Sequence, residues 1–262
     1  MPNKIKSIKF YYPCQRKEKA MNDFNNKNTD LFNGKANFYN SRPAYAVECI
    51  DYLKNTMKIS KNSTIGDIGA GTGILSRQIL ELGCNLVAIE PNKCMFEALK
   101  KNLSDQKKAV VIQATAENTT LDNNILDGIV VGTAFHWFDI DKFKSECKRI
   151  LKRGSKVAIL RIFNNSKADK MLDEKYHFSK KDFDLANKFF GPNNTETNKF
   201  EYELEYNLEN EINLLLSSAT APLPSDENYD LYVKRIKNNY FKDYQNKPYM
   251  RQFAVRTYIG TI

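Results

Sequence analysis

The sequence has few cysteines, and none of them is spaced as a metal-binding or redox pair. The five residues are scattered and form no C-x-x-C motif: Cys14, Cys49, Cys84, Cys94 and Cys147. This spacing argues against a disulfide framework and a structural zinc site, and no cluster of His, Cys, Asp and Glu suggests a catalytic metal. We therefore expect no disulfide, no metal and a reducing cytoplasmic environment.

The sequence also lacks a long apolar run. No segment approaches the roughly 18 to 20 apolar residues that a membrane span requires, and the N-terminus has no continuous apolar signal core. We expect a soluble cytoplasmic protein with no membrane partner. The 262 residues are 42% hydrophobic and 12% aromatic, enough for one α/β core carrying a cap.

A long basic block is absent too, although the formal net charge is +9. Such a charge could indicate a nucleic-acid partner. However, lysines are interleaved with acidic residues along most of the chain, and charge of this kind is usually a solvated surface. A nucleic-acid partner is therefore the less favoured interpretation. The pattern gives no indication of the oligomeric state.

What the sequence does have is a regular alternation of short apolar segments and helical patterns. This alternation is typical of βαβ units with a parallel sheet, and the late segments suggest a cap and a closing antiparallel pair. The first strand ends in a glycine turn near residue 69. Further strands are expected at 86–90, 109–113, 126–132, 156–162, 200–206 and 250–259, and helices at 44–57, 74–82, 93–103, 141–151, 180–190, 209–217 and 229–244.

The glycine turn follows the pattern Asp-x-Gly-x-Gly-x-Gly from Asp67 to Gly73. Glycines allow positive φ angles and close approach of a ligand to the backbone. A dinucleotide fingerprint instead reads G-x-G-x-x-G and holds a pyrophosphate at the helix N-terminus. An acid two residues before the first glycine disfavours a phosphate but suits an ammonium group, so the pattern favours a ligand with an amino-acid moiety.

This motif resembles the first motif of class I S-adenosylmethionine-dependent methyltransferases, in which the acid lies near the methionine end of the cofactor. Glu90 ends the second strand, where a carboxylate can accept hydrogen bonds from both ribose hydroxyls. The resemblance implies S-adenosylmethionine as cofactor and S-adenosylhomocysteine as product, with adenine held after the third strand. The cofactor-binding residues expected from it are Tyr39, Arg42, Asp67, Gly69, Ala70, Gly71, Gly73, Glu90, Pro91, Ala116, Glu117, Thr133 and Ala134.

The segment from Phe135 to Asp139 contains the only tryptophan. It resembles the matching stretch of the small-molecule methyltransferase families grouped as type 11, and it should follow the central fourth strand. His136 could be a general base, because imidazole titrates near neutral pH, or a packing residue that anchors the loop. Trp137 and Phe138 could line the sulfonium or substrate pocket, where aromatic faces attract a cation, or belong to the core.

The family resemblance extends from about residue 32 to the end of the chain. It implies a doubly wound, Rossmann-like, mostly parallel seven-stranded α/β sheet with an antiparallel last strand and a helical cap. We expect a leader at 1–31, a lid at 32–58, a core at 63–163 and a cap with closing strands at 164–262. Tyr39 and Arg42 would cover the cofactor, with Arg42 on its carboxylate. Arg161, Asn164 and Tyr176 are further candidates for substrate binding. Arg161 lies in an otherwise apolar strand, so it could point into the pocket and meet an acidic substrate, or it could sit at a strand edge.

Three functions fit the sequence. The first is methyl transfer from S-adenosylmethionine to a small molecule by in-line displacement. The second keeps the cofactor but transfers another group or cyclises the cofactor itself. The third, which the interleaved charges disfavour, is a non-catalytic RNA-associated binding protein.

Overall fold

The computed structural model describes residues 30–165, 178–192 and 194–262. Most of the predicted leader and the candidate Tyr176 lie outside these residues. The described part of the chain forms one seven-stranded sheet in the order β3-β2-β1-β4-β5-β7-β6. The strands are β1 (Thr64–Ile68), β2 (Asn85–Ile89), β3 (Ala109–Ile112), β4 (Leu126–Gly132), β5 (Leu151–Asn164), β6 (Glu196–Tyr206) and β7 (Tyr249–Gly260).

The sheet confirms the predicted fold class. Neighbouring strands from β3 to β5 pair in parallel, whereas β7 runs antiparallel to both β5 and β6. Strands β1 and β4 are adjacent. The chain continues from β1 to β2 on one side of this pair and from β4 to β5 on the other side, so a crevice forms beyond their carboxyl ends.

The helices cover both faces of the sheet, as in other doubly wound folds. Alternate residues of β4 belong to opposite apolar clusters, Val130 to one and Val131 to the other. The helices are α1 (Val47–Thr56), α2 (Ile74–Leu80), α3 (Lys93–Asn102), α4 (Ile140–Ile150), α5 (Phe178–Phe190), α6 (Leu208–Leu216) and α7 (Tyr229–Tyr244). Short 3-10 helices occur at Asp30–Phe32, Ala36–Ser41 and Phe135–Trp137.

The first α-helix begins later than the sequence pattern predicts. Helix α1 starts at Val47, and Ala46 before it is extended, with φ −52° and ψ 139°. The side-chain amide of Gln78 explains the difference: its Oε1 accepts from Tyr45 N at 2.9 Å and its Nε2 donates to Tyr45 O at 2.8 Å. These contacts from α2 satisfy the backbone groups that a helical turn would otherwise use.

The expectation that the chain has no disulfide is wrong. Cys94 is disulfide-bonded, whereas Cys49, Cys84 and Cys147 are free and buried. The wide spacing of the cysteines could not exclude a bond between residues that are distant in sequence. Among the described helices, none is long and apolar enough to cross a membrane.

Candidate active site

A cavity of about 450 Å³ opens at the carboxyl ends of β1, β2 and β4. The structure brings most of the predicted site residues together around it. Those that line it are Tyr39, Arg42, Asp67, Gly69, Ala70, Gly71, Glu90, Pro91, Ala116, Glu117, Thr133, Ala134, Trp137, Phe138 and Asn164. Of the described candidates, Gly73, His136 and Arg161 lie outside this lining.

The glycine turn between β1 and α2 is shaped for a close ligand but not for a phosphate. Gly69 and Gly71 have φ angles of 72° and 58°. The amides of Gly69 and Ala70 both donate to Ile89 O at 2.9 Å, and that of Gly71 donates to Glu90 Oε2 at 2.8 Å. Because these N–H groups already have acceptors inside the protein, the turn does not offer them to an anion.

Gly73, the last glycine of the motif, serves helix packing. Its φ angle is 93°, and a Cβ placed on it would lie 2.8 Å from Leu99 Cδ1 of α3. A side chain at this position would therefore both strain the backbone and push α3 away from the turn. The motif thus needs two glycines at the cavity and one behind it.

Asp67 is a buried carboxylate with an unused oxygen. Its Oδ2 accepts from Ser76 Oγ at 2.6 Å, whereas Oδ1 has no hydrogen-bond partner. Burial raises the pKa of Asp67 to about 7, although the Ser76 hydrogen bond acts in the opposite direction. A ligand ammonium group would supply the missing donor and favour the ionised form.

Glu90 is the second buried acid of the cavity and is held rigidly. Its Oε2 accepts from Gly71 N at 2.8 Å and its Oε1 from Asn92 N at 2.9 Å. Burial raises the pKa of Glu90 to about 7, and the nearby charge of Asp67 adds to this effect while the two amides oppose it. Each carboxylate oxygen has a second lone pair, so the fixed side chain can still accept from a diol.

The segment that covers the glycine turn is hydrogen-bonded to residues that follow α6, in the predicted cap. Arg42 donates from Nε to Ser217 Oγ at 2.7 Å and from Nη2 to Ser217 O at 3.0 Å, and its guanidinium lies 5.0 Å from the centroid of the Tyr39 ring. Lys35, which is buried, donates from Nζ to Ala221 O and to Pro222 O, the latter at 3.3 Å. Sequence reasoning missed Lys35 and Ser217, because their partners lie far away in the chain.

His136 lies outside the cavity lining and contacts Arg161. The Arg161 Nη1 atom lies 2.7 Å from His136 Nδ1, and Arg161 Nε lies 3.6 Å from Asp182 Oδ2. Loss of water around the ring, with the positive charges of Arg161 and Arg42, lowers the pKa of His136 to about 4, even though part of its surface remains exposed. The imidazole is therefore neutral near pH 7, and its Nδ1 accepts a hydrogen bond from the guanidinium.

The distal half of the cavity is lined mainly by apolar side chains of β5, β7 and α6, including Ile162, Phe163, Leu214, Leu215 and Phe253. Arg251 also lines it, but its charge is already compensated. It donates from Nη1 to Glu211 Oε1 at 2.7 Å and from Nη2 to Asn164 Oδ1 at 3.1 Å. Its position in a strand of mixed polarity gave no signal that it would reach the cavity.

The adenine side predicted after β3 also reaches the cavity. Ala116 is buried, and Glu117 accepts from Asp139 N through Oε1 at 2.9 Å, which links the loop to the start of α4. Trp137 packs edge-to-face against Phe32 of the predicted lid, with ring centroids 5.6 Å apart and ring planes at 90°. Residues of the loops after β3 and β4 thus line the cavity.

The strand order, the acid-led glycine turn and the acid at the end of β2 are those expected from the resemblance to class I S-adenosylmethionine-dependent methyltransferases. Residues 66–159 match a family model described as a methyltransferase domain. The chain is 33% identical over 119 residues to an uncharacterized methyltransferase of Mycobacterium bovis, which covers 45% of this chain and 46% of that protein. The chain thus spans less than half the length of this curated relative.

Solved structures share the same fold. A protein of Anaeromyxobacter dehalogenans described as a type II methyltransferase aligns with a TM-score of 0.57 and 18% identity, covering 84% of this chain and 97% of that one. A phosphoethanolamine N-methyltransferase of Haemonchus contortus, solved with S-adenosylhomocysteine, aligns with a TM-score of 0.50 and 16% identity, covering 91% of this chain and 58% of that one. Residues 66–159 therefore resemble a methyltransferase domain in sequence, and the sheet has the fold of these solved structures.

Proposed function

We propose that the protein binds S-adenosylmethionine in the cavity beyond β1, β2 and β4 and transfers its methyl group to a small-molecule acceptor. The observation that carries this proposal is the unpartnered Oδ1 of buried Asp67 beside the fixed carboxylate of Glu90. An ammonium group and a ribose diol are the two chemistries that these acids accept best. S-adenosylmethionine carries both.

The residues of the chain would act mainly by positioning. When bound, S-adenosylmethionine supplies an activated methyl group. Asp67 and Glu90 would fix the amino-acid end and the ribose of the cofactor, while Tyr39 and Phe32 of the predicted lid and the loop residue Trp137 exclude water. Holding the acceptor in line with the methyl carbon and the leaving sulfur lowers the barrier by orientation.

The acceptor would occupy the apolar half of the cavity near Phe163, Leu215 and Phe253. A cavity of about 450 Å³ that is shared with the cofactor leaves room for a small molecule only. Arg161 gives no support to an acidic acceptor, because its guanidinium contacts His136 and Asp182 outside the cavity lining. His136 stays a candidate base only on the sequence argument that imidazole titrates near neutral pH.

Calorimetric titration of the full chain with S-adenosylmethionine and S-adenosylhomocysteine tests the proposal. We expect both to bind with one site per chain. Absence of binding by both at millimolar concentration would overturn it. Incubation with S-adenosylmethionine alone, followed by mass spectrometry, adds a check on the reaction, since accumulation of methylthioadenosine would indicate transfer of a group other than methyl.

A further inference from the structure

Tyr45 presents a buried hydroxyl to the same cavity, and no sequence motif pointed to it. The residue is 6% exposed and lines the cavity together with Thr133. Its position is set by α2, because the Gln78 amide binds both the N–H and the C=O of Tyr45. The phenol then reaches the end of β4 over Gly132, where an added Cβ would lie 2.4 Å from Tyr45 Oη.

The hydroxyls of Tyr45 and Thr133 lie 3.4 Å apart, which is a long contact for two hydroxyl groups. Thr133 Oγ1 already accepts from Ile162 N at 3.2 Å. Two hydroxyl protons are present, but the contact between the oxygens can use only one of them. Within the described residues, the other proton has no acceptor, so at least one donor is available to a ligand oxygen.

The surroundings of this donor indicate which ligand oxygen it would meet. Asp67 and Arg42 both lie close enough to Tyr45 to influence its ionisation, and burial raises the pKa of Tyr45, so its hydroxyl keeps its proton at neutral pH. In an amino acid, the carboxylate stands on the same carbon as the ammonium group. A ligand whose ammonium meets Asp67 therefore carries its carboxylate within a few bonds of this position.

We propose that the Tyr45 hydroxyl, supported by Thr133, is a positioning residue that donates a hydrogen bond to the α-carboxylate of the cofactor's amino-acid end. This inference rests on the proposed use of S-adenosylmethionine. It assigns the carboxylate partly to Tyr45, since Arg42 directs its Nε and Nη2 atoms to Ser217. A hydrogen bond from a buried neutral donor to a charged acceptor is among the stronger ones in proteins.

The test compares Tyr45→Phe with the wild-type chain for two ligands, S-adenosylmethionine and decarboxylated S-adenosylmethionine. Both carry the sulfonium and the ammonium group, but only the first carries the carboxylate. We expect Tyr45→Phe to weaken S-adenosylmethionine about 10- to 100-fold, the range for a hydrogen bond to a charged group. Decarboxylated S-adenosylmethionine should bind the variant and the wild type within about twofold, because it lacks the acceptor.

A matched control is Tyr52→Phe on α1, which begins two residues after Tyr45; the Tyr52 hydroxyl bonds Glu196 outside the cavity lining. It should leave both affinities unchanged. Circular dichroism and the affinity for methylthioadenosine report whether Tyr45→Phe still folds. Equal losses for both ligands, or no loss for either, would overturn this inference alone. Failure of the wild-type chain to bind S-adenosylmethionine would instead overturn the proposed function, and the inference with it.

Discussion

Asp67 shows how one buried atom can govern a site. Its carboxyl has a pKa of about 7 in the folded protein, against an ordinary value near 3.8. Glu90 beside it is raised to about 7 as well. Folding removes more hydration from both carboxylates than their hydrogen bonds in the protein replace. Their protonated forms are therefore favoured until a ligand supplies hydrogen-bond donors. We therefore expect a cationic ligand to favour the ionised forms of both acids.

This imbalance predicts the pH dependence of stability without ligand. Between about pH 4 and about pH 7, Asp67 and Glu90 bind more protons in the folded chain than in the unfolded chain, so their contribution to the free energy of unfolding falls as pH rises through this interval. His136, whose pKa is lowered to about 4, acts in the opposite direction below about pH 6.5. We expect the contribution of Asp67 and Glu90 to be fully present near pH 4 and lost above about pH 7. Thermal melts of the wild-type chain and of Asp67→Asn at matched pH would measure it.

The stability of Asp67→Asn should decline less steeply with pH than that of the wild type over this range, because the variant has no titrating group at position 67. Saturating S-adenosylhomocysteine should flatten the wild-type decline, since its ammonium favours the ionised carboxylate. Identical pH profiles for the two proteins without ligand would contradict the assignment of this titration to Asp67.

At the scale of elements, the lid depends on contacts that span most of the chain. The 3-10 helix at Ala36–Ser41 lies between Lys35 and Arg42, and both cations end on carbonyl or hydroxyl groups that follow α6. Tyr206 also donates from its hydroxyl to Ser41 O. Hydrogen bonds thus join the predicted lid to the predicted cap, and we call the two together the cover. We expect a change at the end of α6 to affect cofactor binding.

Lys35→Met tests this connection. Methionine keeps much of the apolar stem but leaves the Ala221 and Pro222 carbonyls without their donor, at a cost of about 1–3 kcal/mol. We expect S-adenosylhomocysteine to dissociate from the variant about tenfold faster than from the wild type, which corresponds to roughly 1.4 kcal/mol of lost binding free energy. The fluorescence of Trp137, which contacts Phe32 of the lid, offers a stopped-flow signal. Lys54→Met, an exposed lysine of α1, is the control and should leave the rate unchanged.

The sequence predicted the local elements better than the contacts between them. The strands and the turn from Asp67 to Gly73 follow from apolar runs and glycine spacing, which are local signals. The start of α1 was predicted too early, because the Gln78 amide from another helix binds the backbone N–H and C=O of Tyr45. The contact of His136 with Arg161 likewise joins residues that are distant in sequence, and no pattern around the histidine reveals it.

At the scale of the whole molecule, one ion pair joins the cover to the sheet. Glu211 of α6 and Arg251 of β7 have side chains that are only 14% and 15% exposed, and Arg251 also binds Asn164 at the end of β5. Tyr249 contributes its hydroxyl to Glu211 Oε2 at 2.9 Å. Since α6 also holds the lid, this network connects the closing strand, the cap and the lid.

Neutralising one member of this ion pair should destabilise the folded chain. Glu211→Gln leaves the largely buried Arg251 without its counter-charge, and we expect a loss of about 3–5 kcal/mol in the free energy of unfolding. Urea denaturation measures it, with Glu203→Gln as the control, because Glu203 is an exposed acid of β6 that bonds Gln252. A double variant, Glu211→Leu with Arg251→Met, should recover much of the loss, since removing both charges removes the unpaired one. If the double variant were as unstable as the sum of its single variants, the two residues would act independently, and the cover would be joined to the sheet by other contacts.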